Sequence, residues 1–214
     1  MSAREEVVKC PSAQAGNEAK PGAMTQSGSA QGGRCADPEP DDMELVRRAR
    51  TGELSAFDEL VERHSRPLYC YLWRMCRDSA EAEELAQAAF VRAWEGLVGF
   101  RGDASFRTWL YRVATNLCIN RTTRRRRTEP LDEKLPARRA DEPEQVFRQR
   151  ALHERLAAAI GALPVDQRSA LLLFAYDEMS HIEIAEALGR SAAAVNALIY
   201  RARLTVRKAL EDLR

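Results

Sequence analysis

Between Phe100 and Asn120 the sequence interleaves aromatic rings, guanidinium groups and side-chain amides. Phe100, Phe106, Trp109 and Tyr111 alternate with Arg101, Arg107 and Arg112, and Asn116 and Asn120 follow. An arginine run, Arg124 to Arg127, closes the segment. Aromatic platforms for stacked bases, beside a basic groove that tracks the backbone, are what a protein uses to grip single-stranded nucleic acid. Phe106 and Trp109 also fit the apolar stripe of a helix, and that periodicity assigns them to the core. Asn116 and Asn120 stand four apart, on one helix face and near its end, and are the better candidates for reading extruded bases by hydrogen bonds.

A second constellation runs from Ser180 to Val195. Ser180 with Glu183 has the spacing of a capping box and predicts the start of a short helix. Ala185 is small enough for another helix to cross closely, and Gly189 permits the positive φ that a tight interhelical turn needs. Ser191 then caps a further helix whose Val195 and Leu198 face inward. A small residue, a glycine four later and an aliphatic six after that form the steric signature of a helix-turn-helix. Tyr200, Arg201 and Arg203 lie farther along and suit phosphate contacts, whereas Asn196, nearer the cap, suits a base edge.

These side chains need helices to carry them. Leu45, Val46 and Ala49 recur at helical spacing before Thr51-Gly52. Ala56, Phe57, Leu60 and Val61 share one face, and Leu68, Tyr69, Leu72, Trp73 and Cys76 form another, so two helices are predicted here. Asp78 with Glu81 predicts a capped helix whose stripe is Ala82, Leu85, Ala89, Phe90, Ala93 and Leu97. The next helix runs through Phe106, Trp109, Leu110, Val113, Ala114 and Leu117 into the arginines. Periodicity resumes with Val146, Leu152, Leu156 and Ile160. Leu163-Pro164 opens a helix through Leu171, Leu172, Leu173 and Phe174, followed by Ser180–Leu188 and Ser191–Leu213. No stretch sustains period-two alternation, so the fold class is all-α: two helical domains joined by a flexible linker. The expected organisation is a disordered tail at 1–40, a first domain at 41–127, a linker at 128–143 holding Pro130, Pro136 and Pro143, and a second domain at 144–214.

Composition narrows the function. The 214 residues are 45% hydrophobic and 30% charged, as in a globular protein. The net charge of +1 hides two basic zones. Eleven basic residues oppose four acids from Arg101 to Arg139, and Arg190, Arg201, Arg203, Arg207 and Lys208 meet no acid from Arg190 to Leu210. Two such zones point to two contacts with a polyanion rather than to a solvated helix face. Cys10, Cys35, Cys70, Cys76 and Cys118 contain no CxxC pair, which argues against a zinc site or a disulfide frame. No apolar run has the length of a membrane span, and the N-terminus lacks a secretory layout, so no membrane insertion and a cytoplasmic location are expected.

Taken in order and separation, these segments resemble the sigma-70 family, specifically its extracytoplasmic-function (ECF) group. The resemblance covers residues 41–214 and rests on Ala82-Glu83-Glu84-Leu85-Ala86-Gln87-Ala88-Ala89-Phe90-Val91-Arg92-Ala93-Trp94, on Thr108–Asn116 and on the helix-turn-helix. It implies that the first domain, sigma region 2, docks on a coiled coil of the β′ subunit of core RNA polymerase and opens the −10 element. The last domain, sigma region 4, would read the −35 element of promoter DNA in duplex form and sit on the β flap. The resemblance also implies that an anti-sigma factor is a possible partner, and it implies no cofactor. Carried onto this chain, the polymerase-docking motif falls on Glu84-Leu85-Ala86-Gln87. Glu84, Gln87, Val91 and Glu95 form one stripe away from the core face. The DNA-binding set is Arg107, Arg112, Asn116, Asn120, Arg124 and Arg125 in region 2, with Ser191, Asn196, Tyr200, Arg201 and Arg203 in region 4. The chain has Glu84 where the family usually has Asp, Ala88 where it has an acid, and Asn196-Ala197-Leu198 where a basic residue and Ser-Arg are common.

A plain helix-turn-helix repressor or activator would explain residues 180–208 but not the Trp109 segment or the 82–94 motif. Catalysis has less to stand on. The sequence has no phosphate-cradling glycine loop and no metal-ligand spacing, and His64, His153 and His181 fall on separate helices without a nucleophile partner.

Overall fold

The structure, a computed structural model, describes residues 41–125 and 144–211. Every regular element among them is helical apart from a brief 3₁₀ turn, and none is a strand. The expected tail, with Cys10 and Cys35, and the expected linker lie outside the described residues.

Helix α1 (Asp42–Arg50) places Asp42 and Glu44 in its first turn and Arg47, Arg48 and Arg50 in its last, matching the helix dipole at both ends. Its Leu45, Val46 and Ala49 are buried. Residues 54–76 then form one helix, α2 (Leu54–Cys76), and not the two expected. Pro67 lies within it and removes one backbone donor. The buried stripe nevertheless continues across the proline, because Ala56, Leu60, His64 and Leu68 fall four apart along one side. Leu60 and Leu68 are fully buried. Between them, the His64 ring packs 5.4 Å from that of Phe106, with its Nε2 2.7 Å from Oδ2 of Asp42. Packing on both sides of Pro67 outweighs the missing hydrogen bond.

Helix α3 (Ser79–Gly96) begins where Asp78 accepts a hydrogen bond from the backbone N–H of Glu81. The carboxylate of Glu81 also meets Arg121, 3.3 Å away. Ala82, Leu85, Ala89 and Ala93 are buried as the stripe predicted, Phe90 packs at its edge, and Leu97 follows in the 3₁₀ turn Leu97–Gly99. Helix α4 (Phe106–Arg125) returns across α2 and α3. The hydroxyls of Tyr71 and Thr115 meet at 2.8 Å inside this bundle, satisfying both polar groups where water is absent.

In the second unit, α5 (Glu144–Ala162) and α6 (Val165–Ala175) precede the helix-turn-helix pair α7 (His181–Leu188) and α8 (Ala192–Glu211). Leu152, expected on the buried stripe of α5, is 46% exposed. Ala157, Ala159 and Ile160 supply the burial there, with Leu156 at the margin. The two units pack directly, α4 against α7 and α2 against α6, and their buried apolar residues form one continuous cluster.

Candidate nucleic-acid interface

The local geometry of the helix-turn-helix follows from its sequence. Ser180 Oγ accepts from the N–H of Glu183, whose carboxylate accepts in turn from the N–H of Ser180 at 2.8 Å. Hydrogen bonding from the Ser180 side chain and backbone N–H holds the Glu183 carboxyl below its ordinary value. Gly189 ends α7 with φ of 61°, in the left-handed region. Ser191 Oγ accepts from Ala194 N–H and opens α8. Val195, Ile199 and Ala202 turn inward, and Leu198 packs only partly. The opposite side of α8 presents Asn196, Tyr200, Arg203 and Arg207, all exposed and spaced to share one face. Arg201 is exposed on a neighbouring stripe. Arg203 is committed more closely than the sequence suggested, since its guanidinium rests 4.7 Å from the centre of the Phe174 ring. Arg190, in the interhelical turn, pairs with Asp166 at 2.6 Å.

On α4, Ser105 caps the first turn by accepting from Thr108 N–H at 3.1 Å. Phe106 is fully buried and Trp109 partly so, within an aromatic cluster in which Phe100 lies 4.9 Å from Trp109 and Phe106 lies 6.0 Å from it. Their assignment to the core therefore holds. Gly96 makes room for the indole: a Cβ there would stand 3.2 Å from Cζ2 of Trp109. Arg112, Asn116 and Asn120 are exposed along the same helix. The backbones of Arg124 and Arg125 complete α4, and their side chains lie outside the described residues.

The stripe Glu84, Gln87, Val91 and Glu95 is exposed on α3, and Val91 leaves 57% of its surface open. Glu84 is nonetheless engaged, 2.7 Å from Arg121 of α4. Trp94 adds a partly open ring beside this stripe, edge-on to Phe57 at 4.9 Å.

Arg107 is half-buried and faces the other unit. Its guanidinium donates to the backbone carbonyl of Asp177, in the connection between α6 and α7. Tyr111 OH donates to Oδ1 of the same residue at 2.5 Å. Asp177 is 8% exposed, and its Oδ2 has no hydrogen-bond partner among the described residues. Burial raises its carboxyl pKa above the ordinary value, although Tyr111, Arg107 and Arg74 all favour the ionised form. Burial likewise raises the Tyr111 hydroxyl, and the Asp177 charge adds to the effect. Nearby, Arg168 of α6 donates to the carbonyl of Met75 at 2.6 Å, and Arg74 of α2 stacks 4.3 Å from the centre of the Tyr176 ring. Sequence reasoning passed over Asp177 and Arg168, and read Tyr111 only as one of the interleaved aromatics, because each acts across the seam between units, where helical periodicity carries no signal.

Residues 60–128 match the family described as Sigma-70 region 2, and residues 153–206 match that described as Sigma-70, region 4. The chain is 33% identical over 184 residues to the RNA polymerase sigma-H factor of Pseudomonas aeruginosa, covering 80% of this chain and 95% of that protein. It is 32% identical over 179 residues to the ECF RNA polymerase sigma factor SigW of Bacillus subtilis, covering 78% and 96%. Among solved structures, CnrH in complex with the cytosolic domain of CnrY is similar at TM-score 0.61 and 27% identity, over 80% of this chain and 97% of that one. The sigma factor RpoE of Bartonella quintana, in complex with the anti-sigma factor NepR, shares the fold at TM-score 0.57 and 18% identity, over 74% and 98%.

Proposed function

The chain belongs to the sigma-70 family, in its ECF group, and on that premise we propose how its exposed faces divide the work of promoter recognition. It is an RNA polymerase sigma factor of ECF type, which directs core polymerase to specific promoters. Its first unit is region 2, over 41–127, and its second is region 4, over 144–214.

The observation that carries the assignment is the exposure of two separate polar faces, each in a basic zone and each on a helix fixed by its own caps or core. On α4, Arg112, Asn116 and Asn120 face outward with Arg124 and Arg125 beyond them, and they take the −10 element, the amides reading bases and the arginines tracking phosphates. On α8, Asn196 projects near the Ser191 cap and reads the −35 element in the major groove, while Tyr200, Arg201 and Arg203 position the helix on the backbone. The exposed α3 stripe of Gln87, Val91 and Glu95 docks on the β′ coiled coil. Glu84 joins it once its pairing with Arg121 is exchanged. Region 4 rests on the β flap.

The protein works as an initiation factor and not as an enzyme, and it does so in the cytoplasm. No described helix is long and apolar enough to cross a membrane. An anti-sigma factor is proposed as a further partner. The repressor reading accounts for α7 and α8 alone, and leaves the exposed α3 stripe and the amides of α4 without a role.

Run-off transcription with purified core polymerase on a genomic library tests the assignment. Transcripts should start downstream of a shared pair of −35 and −10 sequences only when the protein is added. Tight promoter binding by the free protein, with no transcripts from the holoenzyme, would favour the repressor.

A further inference from the structure

We propose that Phe174 is a positioning residue for the −35 contact: its ring, at the end of α6, holds the Arg203 guanidinium ready for one phosphate of the duplex. The inference rests on the assignment of α8 to the −35 element, and it gives a ring beneath the reading face a share in the affinity.

The packing of region 4 brings the pair together. Phe174 stands one residue before the end of α6, partly buried against the core, and α6 packs on α8. Its ring also meets that of His181, the first residue of α7, at 5.2 Å, so it lies at the junction of all three helices. Among Asn196, Tyr200, Arg203 and Arg207, which share the exposed face of α8, the helical repeat places Arg203 nearest the buried Ile199. Its side chain therefore leaves the helix at the edge of the core. The guanidinium comes to rest over the Phe174 ring, 4.7 Å from its centre, while the residue stays exposed.

The chemistry of that contact leaves the cation able to bind. A ring face attracts the guanidinium as a whole through its quadrupole, and it does not take up the N–H donors or cancel the charge as a carboxylate does. Arg190 gives the contrast within the same unit, because its guanidinium donates to Asp166 at 2.6 Å and its charge is matched there. Arg203 keeps both charge and fork. A long side chain that grips a phosphate loses rotamer freedom, whereas a guanidinium already seated on a ring has lost much of it on folding. The planar fork also matches phosphate oxygens two at a time, so a fixed direction of approach strengthens the contact. Phe174 thus acts on DNA through Arg203.

The test measures binding of the holoenzyme, the full chain with core polymerase, to a duplex promoter fragment recovered by the run-off selection and to its −35 variants. Phe174→Leu should weaken binding roughly three- to tenfold, by the same factor on every −35 sequence, because a phosphate contact carries no base information. Phenylalanine with one, two or three ring fluorines at position 174 keeps the shape of the core and progressively weakens the negative ring face. Affinity should fall stepwise along that series. Arg203→Ala should lower the affinity and reduce the salt dependence by about one phosphate. In that background neither Phe174→Leu nor the fluorine series should add a further loss. A flat series in the wild-type background overturns the proposal, and so does a series equally steep without Arg203, which would trace the effect to His181 or to core packing. A gain in affinity from Phe174→Leu also overturns it, since the ring would then compete with the phosphate. If Phe174→Leu fails to fold, the fluorine series decides alone. Unchanged affinity in Arg203→Ala, with a loss in Arg201→Ala, overturns the proposal and leaves α8 on the −35 element. Unchanged affinity in Arg203→Ala, Arg201→Ala and Asn196→Ala together overturns the assignment of α8 as well.

Discussion

Tyr111 and Asp177 meet across the seam, hydroxyl to carboxylate, at 2.5 Å, on segments 66 residues apart in sequence. The tyrosine is fixed on the region 2 side by ring packing, its centroid 5.2 Å from that of Tyr71. The aspartate stands one residue before Glu178, which adopts a left-handed φ of 53°. A rigid donor therefore meets an acceptor held by a sharply turned connection, which leaves little slack in the pairing.

The contribution of the buried Asp177 carboxyl to stability should depend on pH. Burial raises it above its ordinary value of 3.8, against the opposing influence of Tyr111, Arg107 and Arg74. The folded protein therefore binds a proton there more tightly than the unfolded chain does. The resulting stabilisation is complete below the unfolded-state value and is lost as pH rises through the folded-state value. Its share of the unfolding free energy, measured with denaturant, should accordingly be smaller near about pH 7 than near about pH 4.5. Asp177→Asn, which keeps an acceptor for Tyr111 but cannot ionise, should remove that dependence. A pH profile identical in the two proteins would assign the effect to another group.

Base reading on α8 separates into two measurable kinds. Asn196→Ala should relax preference at a single −35 position, at a cost of roughly 1–3 kcal/mol on the preferred base. Arg201→Ala should weaken all promoters alike and reduce the salt dependence by about one phosphate. Transcription from a panel of −35 variants distinguishes the two patterns. An even loss across the panel for Asn196→Ala would make Asn196 a positioning residue.

Docking should fail when charge enters the exposed α3 stripe. The double substitution Gln87→Glu and Val91→Glu should lower affinity for core polymerase by roughly tenfold or more. The melting temperature should stay near that of the wild type, because both positions are exposed. Unchanged affinity in a co-sedimentation or fluorescence assay would move the docking surface elsewhere.

The turn of region 4 should be sensitive to backbone conformation alone. A Cβ at Gly189 would meet no atom within 4 Å, so Gly189→Ala is penalised by its left-handed φ and not by crowding. The expected loss is roughly 1–2 kcal/mol. Ser180→Ala, which removes one half of the capping box, should cost about 1 kcal/mol. Denaturant unfolding of the full chain measures both.

The features legible in the sequence are those whose cause is local. The Ser180–Glu183 box, the Gly189 turn and the exposed α3 stripe each follow from a few neighbouring residues, and each appears in the structure. Residues 54–76 misled because two apolar faces were taken for two helices, whereas Leu60 and Leu68, with His64 packed on Phe106 between them, keep one buried side running through Pro67. Arg203 was placed with the phosphate contacts, and only the packing of α6 against α8 brings Phe174 beneath it. Asp177 gave no signal at all. Three polar or charged side chains across a seam become a cluster only when separate helices have already docked, and no periodicity records that event.

Gly96 sets Trp109 so close to the backbone of α3 that a single methyl group would crowd the ring, and Arg121 ties the far end of α4 to Glu81 and Glu84 on the same helix. Helices α3 and α4 are thus pinned at two points, like a hinge leaf fixed by two screws. A tilt imposed on one is passed to the other through these direct contacts and not only through the connection over residues 97–105. If α3 docks on polymerase and α4 holds the strand, as proposed above, the grip on the promoter is aimed by the polymerase itself, and a substitution at Gly96 should show itself as a change in where the strands part.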